Sequence, residues 1–568
     1  MRSWTFFLLA GALAAQTPPG EVTTREETPT FQSSVNLVRV PVVIRDKQGH
    51  TVGTFHKEDF QLTDRGKQQY ISQFSIEGSA VPKPPAPAGA AAEIPWEPEA
   101  AAPGSKLVIP TRFTAFVFDD VHLKIGDLMN ARIAALKYIE QGIRPQDRVA
   151  LLTLSGKVTL EFTNDPAKFK ETLMKIMPVV PAHKVFPPAS FYVADQWLNR
   201  DNQEALALEG GIIAACLPGA HIDPKDILRE VANTGEGEAI ATFRTLSNIV
   251  RLLSAMPGDR TMILVSPGMY LPDELQKDLS ESIDRATRAG VVINTLDARG
   301  VYTIDPVGDI PGCNSPDPRT SQLISKYDSW ENLAQGMVLE DLAHSTGGTT
   351  NSDNDLLGGF NRLATPPEYV YYLGFYPKDL KPDGKYHEIK VKLANLKGFS
   401  LEARRGYWAP SHEEDAAATA TREVGEAVFS RDVLRDLSIE IHSEFFKTTE
   451  EDAKLKVTTH LDIRQLPLRK QDDRNRDDVT LVCALFDGNG NYIKGTQKVV
   501  ELRLKDENLE RRRAAGVTVN SNFDVKIGPY MVRVVVRDAE GRQMAAANGV
   551  VEIPWKPNRA GFRDMGAE

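Results

Sequence analysis

The stretch TAFVFDDVHLK, Thr114–Lys124, begins as a run of strand-forming residues and stops at two adjacent aspartates, with a histidine two residues later. Three further apolar runs follow it along the chain, RVALLTLS, TMILVS and VVINTLD, and amphipathic helical patterns separate them. Strands that are apolar on both faces indicate a parallel sheet covered by helices on both sides. We therefore predict one doubly wound α/β domain over residues 107–365, with an insertion at its rim over about 180–235.

Alternating apolar and polar residues predict β structure on both sides of this domain. The segments 31–78 and 366–410 each contain a few short strands, and a Pro/Ala-rich linker, 79–106, follows the first of them. Neither segment has enough strands to bury a core by itself. Our hypothesis is that the two segments pair into one β-sandwich, with the α/β domain inserted between their strands.

The remaining chain divides into a leader and a C-terminal region. Residues 15–30 are polar and predict a disordered leader. A helical connector is predicted over 411–430, a second β-sandwich-like domain over 431–556 and a tail over 557–568. The overall fold class predicted is therefore α/β plus β.

The first residues predict export. MRSWTFFLLAGALAAQ has one arginine, a short apolar core and small residues around Ala14, which is typical of a cleaved signal peptide over 1–14. We expect a periplasmic or secreted protein, and no later stretch is apolar enough to predict a transmembrane segment. Export permits a disulfide, and the sequence leaves open whether Cys216 and Cys313 form one. The net charge of −10, with no long basic run, argues against a nucleic-acid partner.

Four stretches in this order resemble one known family: FVFDDVHLK, RVALLTLSG, PGDRTMILVSPGM and RRGYWAP. Together they are similar to the bacterial VWFA-related proteins, which carry a divergent von Willebrand factor type A domain behind a signal peptide. The resemblance covers roughly residues 35–410. It implies a doubly wound fold, a metal-ion-dependent adhesion site at the carboxyl ends of the strands, an extracytoplasmic location and no established enzymatic activity.

The adhesion motif that the resemblance implies is degenerate. Its form is Asp-x-Ser-x-Ser, and neither Asp119 nor Asp120 as the first residue places serines at the later positions. A further aspartate is expected where Ser266 stands, and Thr234 is the nearest candidate for the motif's threonine. The candidate ligands of one divalent cation, Mg²⁺ or Mn²⁺, are Asp119, Asp120, His122, Ser155, Thr234 and Ser266.

A second interpretation of the same residues needs no metal. One aspartate would then cap the following loop, the other would be solvated, and His122 would pack at the rim. Both interpretations remain open from the sequence, although ligands of open α/β sheets do bind at the carboxyl ends of strands.

Binding of a protein or glycan partner through this rim is the function that the sequence favours, and whether a metal assists it stays open. An acidic group of the partner would complete the coordination of a bound cation, as the resemblance implies. One alternative is an extracytoplasmic hydrolase that uses Ser155 or Ser266 with His122, but no catalytic motif such as G-x-S-x-G or H-E-x-x-H is present. A structural envelope scaffold is a further alternative. The partner and the oligomeric state are not predicted.

Overall fold

A computed structural model describes a large part of the chain and divides it into two compact units. Unit 1 comprises Met1–Thr30, Asp432–Leu485 and Ile493–Glu568, and unit 2 comprises Phe31–Arg431 and Phe486–Tyr492. The described residues are 21–27, 38–47, 50–78, 110–179, 189–300, 313–314, 316–364, 368–375, 377, 385–394, 398–409, 421, 424–425, 427–429, 434, 436–540 and 543–554. The predicted signal peptide, linker and C-terminal tail lie outside these residues, as does most of the predicted connector.

The regular elements of the described residues are numbered in chain order. The strands are β1 (Val22–Glu27), β2 (Val38–Arg45), β3 (Phe60–Asp64), β4 (Lys67–Gln69), β5 (Gln73–Gly78), β6 (Arg112–Phe118), β7 (Asp147–Thr153), β8 (Thr159–Thr163), β9 (Asp259–Ser266), β10 (Val291–Asp297), β11 (Thr350–Asn351), β12 (Tyr369–Phe375), β13 (Tyr386–Leu393), β14 (Ser400–Ala403), β15 (Gly406–Trp408), β16 (Ile439–Lys447), β17 (Asp452–Leu461), β18 (Arg469–Gln471), β19 (Arg474–Asp487), β20 (Tyr492–Leu504), β21 (Val517–Lys526), β22 (Gly528–Asp538) and β23 (Met544–Ile553). The α-helices are α1 (Ile125–Glu140), α2 (Pro166–Leu173), α3 (Phe191–Leu198), α4 (Gln203–Cys216), α5 (Pro224–Ser254), α6 (Gln276–Arg288), α7 (Pro318–Thr346), α8 (Leu356–Ala364) and α9 (Asp506–Ala515). No helix among the described residues is long and apolar enough to cross a membrane.

The α/β domain of unit 2 is built on a six-stranded sheet with the order β8-β7-β6-β9-β10-β11. Strands β7, β6, β9, β10 and β11 run parallel, and the edge strand β8 runs antiparallel to β7. This confirms the predicted parallel sheet. The chain winds outward in one direction from β6 to β8 and in the other from β9 to β11. The winding therefore reverses between β6 and β9, which is where open α/β sheets bind their ligands.

Strand β6 shows why the sheet is covered on both faces. Phe113, Ala115 and Val117 point into a core shared with α5, α6 and α7. Phe116 and Phe118 point into a second core shared with α1, α2 and α8. Side chains alternate between the two faces of a strand, so a strand that is apolar at successive positions needs a helical layer on each side.

The rim insertion is helical over its described residues. Helices α3 and α4 pack against the first turns of α5 and α7, and a disulfide joins Cys216 to Cys313 with a Cα–Cα distance of 4.4 Å. The insertion is predicted to end near residue 235, and α5 runs through this point without a break from Pro224 to Ser254, with Ala232 in the core of the insertion and Ala239 in the core of the α/β domain. A Cβ atom on Gly235, within α5, would lie 2.3 Å from Cγ of Phe191. The glycine allows α3 to approach the helix closely.

The two β segments that flank the α/β domain in sequence form two four-stranded sheets. Their orders are β14-β2-β12-β5 and β15-β13-β3-β4, and both sheets enclose one apolar core. Each sheet combines strands from before and after the α/β domain, which is the arrangement that the shared-sandwich hypothesis requires. Gly78 at the end of β5 lies opposite Tyr369 at the start of β12. The chain therefore leaves and re-enters the sandwich at neighbouring positions, so an inserted domain does not disturb its sheets.

Unit 1 contains a sheet with the order β1-β20-β19-β22-β23, with β18 beside β19, and a second sheet with the order β16-β17-β21. Both sheets share one core, and helix α9, which the all-β prediction missed, joins β20 to β21. Strand β1 corrects the prediction of a disordered leader. Its sequence, VTTREE, is too polar to predict a strand, but its backbone pairs with β20.

A buried polar network joins the two halves of the sandwich and leads to a first prediction. The hydroxyl of Tyr407, within the RRGYWAP stretch, donates to Asp64 Oδ2 at 2.8 Å, and His387 Nδ1 lies 3.0 Å from the same hydroxyl. All three side chains are buried. Tyr407→Phe leaves the Asp64 carboxylate without this donor, so we expect a loss of about 1–3 kcal/mol in the free energy of unfolding.

Urea denaturation measures this loss, and Tyr70→Phe is the matched control. The Tyr70 side chain is exposed, and its hydroxyl accepts a hydrogen bond from Lys57 at the surface. Tyr70→Phe should therefore change the free energy of unfolding by less than about 0.5 kcal/mol. Equal effects of the two substitutions would contradict a stabilising role of the buried network.

Candidate functional site

The carboxyl ends of four parallel strands bring together most of the polar residues predicted as a site. Asp119 and Asp120 follow β6, Ser155 follows β7, Ser266 ends β9 and Asp297 ends β10. Asp119 and Ser266 lie at the carboxyl ends of β6 and β9, the two strands between which the winding reverses. Because parallel strands end at one edge of the sheet, residues far apart in sequence become neighbours here.

The Asp119 carboxylate is fully buried and accepts hydrogen bonds from several protein donors. The Ser266 hydroxyl donates to Oδ2 at 2.6 Å, across the point where the winding reverses. The backbone amides of Val121 and His122 donate to Oδ1 at 3.1 and 2.8 Å. Asp119 therefore caps the loop after β6, as the interpretation without a metal predicts for one of the two aspartates.

The His122 imidazole lies against Asp119 and balances its charge when the ring is protonated. Its Nδ1 lies 3.0 and 2.9 Å from the two carboxylate oxygens, and about a fifth of its side chain is exposed. Burial alone would raise the pKa of Asp119, but the charge of His122 and its hydrogen bonds hold this pKa below its usual value. Burial alone would lower the pKa of His122, but the Asp119 carboxylate raises it above the usual 6.5. The two side chains form an internal ion pair when His122 is protonated.

Asp120 is held by a separate set of contacts. The amide and the hydroxyl of Ser155 donate to its carboxylate at 2.9 and 2.5 Å. Its carbonyl oxygen accepts from the amide of Val179 at 2.7 Å. Asp120 is 1% exposed, so it is not the solvated aspartate that the second interpretation expects. Its carboxylate joins the loops after β6 and β7.

Thr234 does not join this group. It lies exposed on α5. Glu238, one helical turn further along α5, is the residue of this helix whose charge acts on His122. Glu238 was not among the residues predicted from the sequence, because no pattern near Asp119 shows that α5 passes His122.

Arg299 is a second rim residue that sequence analysis missed. Its guanidinium makes two hydrogen bonds to the Asp297 carboxylate, at 3.0 and 2.7 Å, and Nη1 also donates to Asn332 at 2.6 Å and Gln335 at 2.7 Å on α7. Arg299 thereby joins the end of β10 to α7. The spacing Asp-x-Arg in LDARG is the sequence signal for this pair, although the helix that it contacts follows only much later in the chain.

Gly268 brings α7 over the strand ends. It follows Ser266 by two residues with a φ of +80°, and a Cβ atom there would lie 2.2 Å from the carbonyl oxygen of Gln335. Only glycine permits both this backbone conformation and this close approach. The SPG stretch after β9 therefore turns beneath α7, which covers part of the rim.

The predicted ligands do not fit a divalent cation in this arrangement. Among the described residues, no group of three or more His, Cys, Asp or Glu side chains could hold a metal ion. Both Asp119 oxygens already contact protein donors, and a protonated His122 would oppose a second positive charge beside them. A Mg²⁺ ion needs near-octahedral oxygen ligation, and the Asp119 and Asp120 carboxylates are held in two separate sets of contacts.

The serines likewise contact aspartates rather than His122 among the described residues. Ser155 and Ser266 each donate to an aspartate, and neither has a hydrogen bond to His122 among the contacts of the described residues. A serine nucleophile needs a base within hydrogen-bonding distance. His122 Nδ1 instead contacts Asp119.

Comparisons with known proteins find partial likeness to solved structures alone. No family model and no curated protein matches this chain. The conserved hypothetical protein BatB from Bacteroides thetaiotaomicron is 13% identical over 45% of this chain and 97% of that chain, with a TM-score of 0.19. The N-terminal domain of TFIIH p34 is 12% identical over 45% of this chain and 96% of that one, also with a TM-score of 0.19. β-Glucuronidase 2 from Bacteroides uniformis is 12% identical over 20% of this chain, with a TM-score of 0.14, and this chain spans 13% of its length. Likeness at this level carries no argument about function, which is argued below from the site.

The ion pair of His122 and Asp119 leads to a prediction about pH. A histidine whose pKa is raised on folding stabilises the protein fully below its unfolded pKa of 6.5, and the stabilisation is lost as the pH rises through the folded pKa. We expect the melting temperature of the wild type to exceed that of His122→Gln most below pH 6.5, and the difference to shrink at higher pH. The difference between the two proteins removes the contribution of other groups such as Glu209, whose pKa burial raises to about 7.

His50→Gln is the control for this prediction. His50 also lies near an aspartate, with Nδ1 3.6 Å from Asp46, but its side chain is 80% exposed. Its substitution should change the melting temperature little at any pH. The ion pair would be contradicted if the difference in melting temperature between the wild type and His122→Gln does not depend on pH or grows as the pH rises.

Proposed function

We propose that this chain is an exported binding protein of the von Willebrand factor A type, which recognises a protein partner at the carboxyl edge of its six-stranded sheet. The observation that carries the proposal is the hydrogen bond of Ser266 to buried Asp119 across the point where the winding reverses. Open α/β sheets bind ligands at this point. We also propose membership of the VWFA-related family, which rests on the four sequence stretches that resemble it.

The contacts at this edge favour binding over catalysis. Asp119, Asp120 and Asp297 each hold one loop or helix in place through hydrogen bonds to neighbouring residues. Fixed loops present side chains to a partner with little loss of conformational entropy on binding. The exposed Lys124, directly after the loop that Asp119 caps, is one such side chain.

Export is part of the proposal. It is supported by the N-terminal stretch 1–14 and by the disulfide between Cys216 and Cys313, since disulfides persist in oxidising compartments. The bridge joins the end of α4 to the chain just before α7 and so stabilises the helices beside the rim.

Site-specific photo-crosslinking tests where a partner binds. A photoreactive residue replaces Lys124 at the carboxyl edge in one variant and Arg144, exposed at the amino edge, in the matched control. Each purified full-length chain is incubated with envelope proteins of its source organism. We expect the same protein band to crosslink through position 124 and not through position 144.

Two outcomes would contradict the proposal. Equal crosslinking at both positions would show that the carboxyl edge is not the binding surface. Crosslinking only to glycan-bearing material that is lost after deglycosylation would replace the protein partner with a glycan. A third substitution, Arg299→Gln, should weaken the crosslink at position 124 because it releases Asp297 from α7.

Binding is proposed to occur without a metal, and this leads to a further prediction. Ligands that bind the native state raise its stability by mass action, so a bound cation would be revealed by chelation. We expect the melting temperature to be the same with EDTA, with excess Mg²⁺ and with excess Mn²⁺. If EDTA lowers the melting temperature of the wild type but not that of Asp119→Ala, the metal site that the resemblance implies is present and binding without a metal is contradicted.

A further inference from the structure

Strand β1 lies at the edge of a sheet whose other strands come from the far end of the sequence. Val22 lies opposite Leu502 and Glu27 opposite Gln497, in an antiparallel register that runs through every residue between them. Residues 28–37, outside the described part, connect β1 to β2, which belongs to the other unit. Strand β1 therefore belongs to the same unit as β20, although the next strand along the chain belongs to the other unit.

Side-chain contacts at both ends determine the register of this strand. At one end, the Glu21 carbonyl accepts from the Arg503 amide at 2.9 Å, and its carboxylate accepts from Lys505 N at 3.2 Å and Asn508 Nδ2 at 3.0 Å. At the other end, Glu27 Oε2 accepts from Gln497 Nε2 at 3.1 Å. The segment Glu21–Glu27 is therefore matched specifically to β20.

Little apolar surface holds the strand against the sheet. Thr23, Thr24, Arg25 and Glu26 are exposed, and Val22 is the apolar side chain of β1 that packs against the core. Burial of one partly covered valine contributes at most about 1.5 kcal/mol. Edge strands held mainly by backbone hydrogen bonds open locally at low cost.

Opening of β1 would leave β20 with a row of unpaired backbone groups. Such an edge pairs readily with an extended segment of another chain. The segment that matches it best is Glu21–Glu27 itself, which a second copy of the protein also carries. In an exchanged pair every contact described above would form again between the two copies. The equilibrium between monomer and exchanged dimer therefore depends on protein concentration rather than on new contacts.

We propose that β1 is exchanged between two copies of this chain, so that Glu21–Glu27 of each copy completes the sheet of the other at β20. The interaction surface is the outer edge of β20 together with the start of α9, where Asn508 lies. The partner is a second copy of the same protein. The interface is independent of the proposed binding at the rim, which involves other elements.

Two single-cysteine variants, Arg25→Cys and Val499→Cys, test the exchange. The two positions lie opposite each other in the register, on the face away from the buried Val500 and Leu502. Opposed residues of antiparallel strands have Cα atoms about 4.5–5.5 Å apart, within the range of a disulfide. The native cysteines do not interfere, since Cys216 and Cys313 are bridged and Cys483 is buried.

The two full-length variants are produced together in the same cells, oxidised and separated on a non-reducing gel. We expect covalent dimer above the amount that either variant forms alone, with a yield that rises with protein concentration. Arg25→Cys produced with Glu501→Cys is the register control and should give less dimer, because Glu501 lies opposite Thr23. The double variant, which carries both cysteines in one chain, shows whether cysteines at positions 25 and 499 can form a disulfide.

The proposal would be overturned if the double variant forms the disulfide within one chain while the co-produced single variants give no more covalent dimer than either variant alone. That result would show that β1 stays on its own chain. If Val499→Cys fails to fold, Thr23→Cys and Glu501→Cys form the second matched pair and give the same two outcomes.

Discussion

The buried carboxylate of Asp119 is the constraint on which the candidate site depends. A carboxylate that is removed from water is costly unless opposite charge and hydrogen-bond donors surround it. Here the His122 imidazole, the Ser266 hydroxyl and two backbone amides meet this requirement. The same contacts hold the ends of β6 and β9 together and close the loop between β6 and α1. Because both Asp119 oxygens already contact protein donors, the carboxylate also fits a divalent cation poorly.

The β-sandwich imposes a second constraint, on the order of the chain. Its sheets need strands from both sides of the α/β domain, and its core includes Val40 from before that domain and Leu373 from after it. The sandwich is therefore complete only after the α/β domain has been synthesised. Asp64 and Tyr407, which meet in the interior, come from the two halves and form a contact that neither half can make alone.

Prediction from sequence succeeded where a local pattern determines the structure. The apolar runs of β6, β7, β9 and β10 were sufficient to predict the parallel sheet and the edge at which Asp119, Ser155 and Ser266 meet. It failed where local pattern and tertiary contact disagree. Polar β1 forms a strand because β20 offers it backbone partners, and the close packing of Phe191 against Gly235 in α5 joins elements that no local pattern connects.

The sequence by itself determined the α/β sheet, the strand ends that carry its polar residues and the possibility of a cation site. It could not decide between a metal and a capped loop, because both interpretations use the same aspartates and the same histidine. Only the tertiary structure decided that Ser266 and His122 saturate Asp119 and that Glu238, rather than Thr234, acts on His122. The interactions of Ser266 with Asp119 and of Glu238 with His122 join residues more than a hundred positions apart, and they depend on how β9 and α5 pack rather than on any pattern near Asp119.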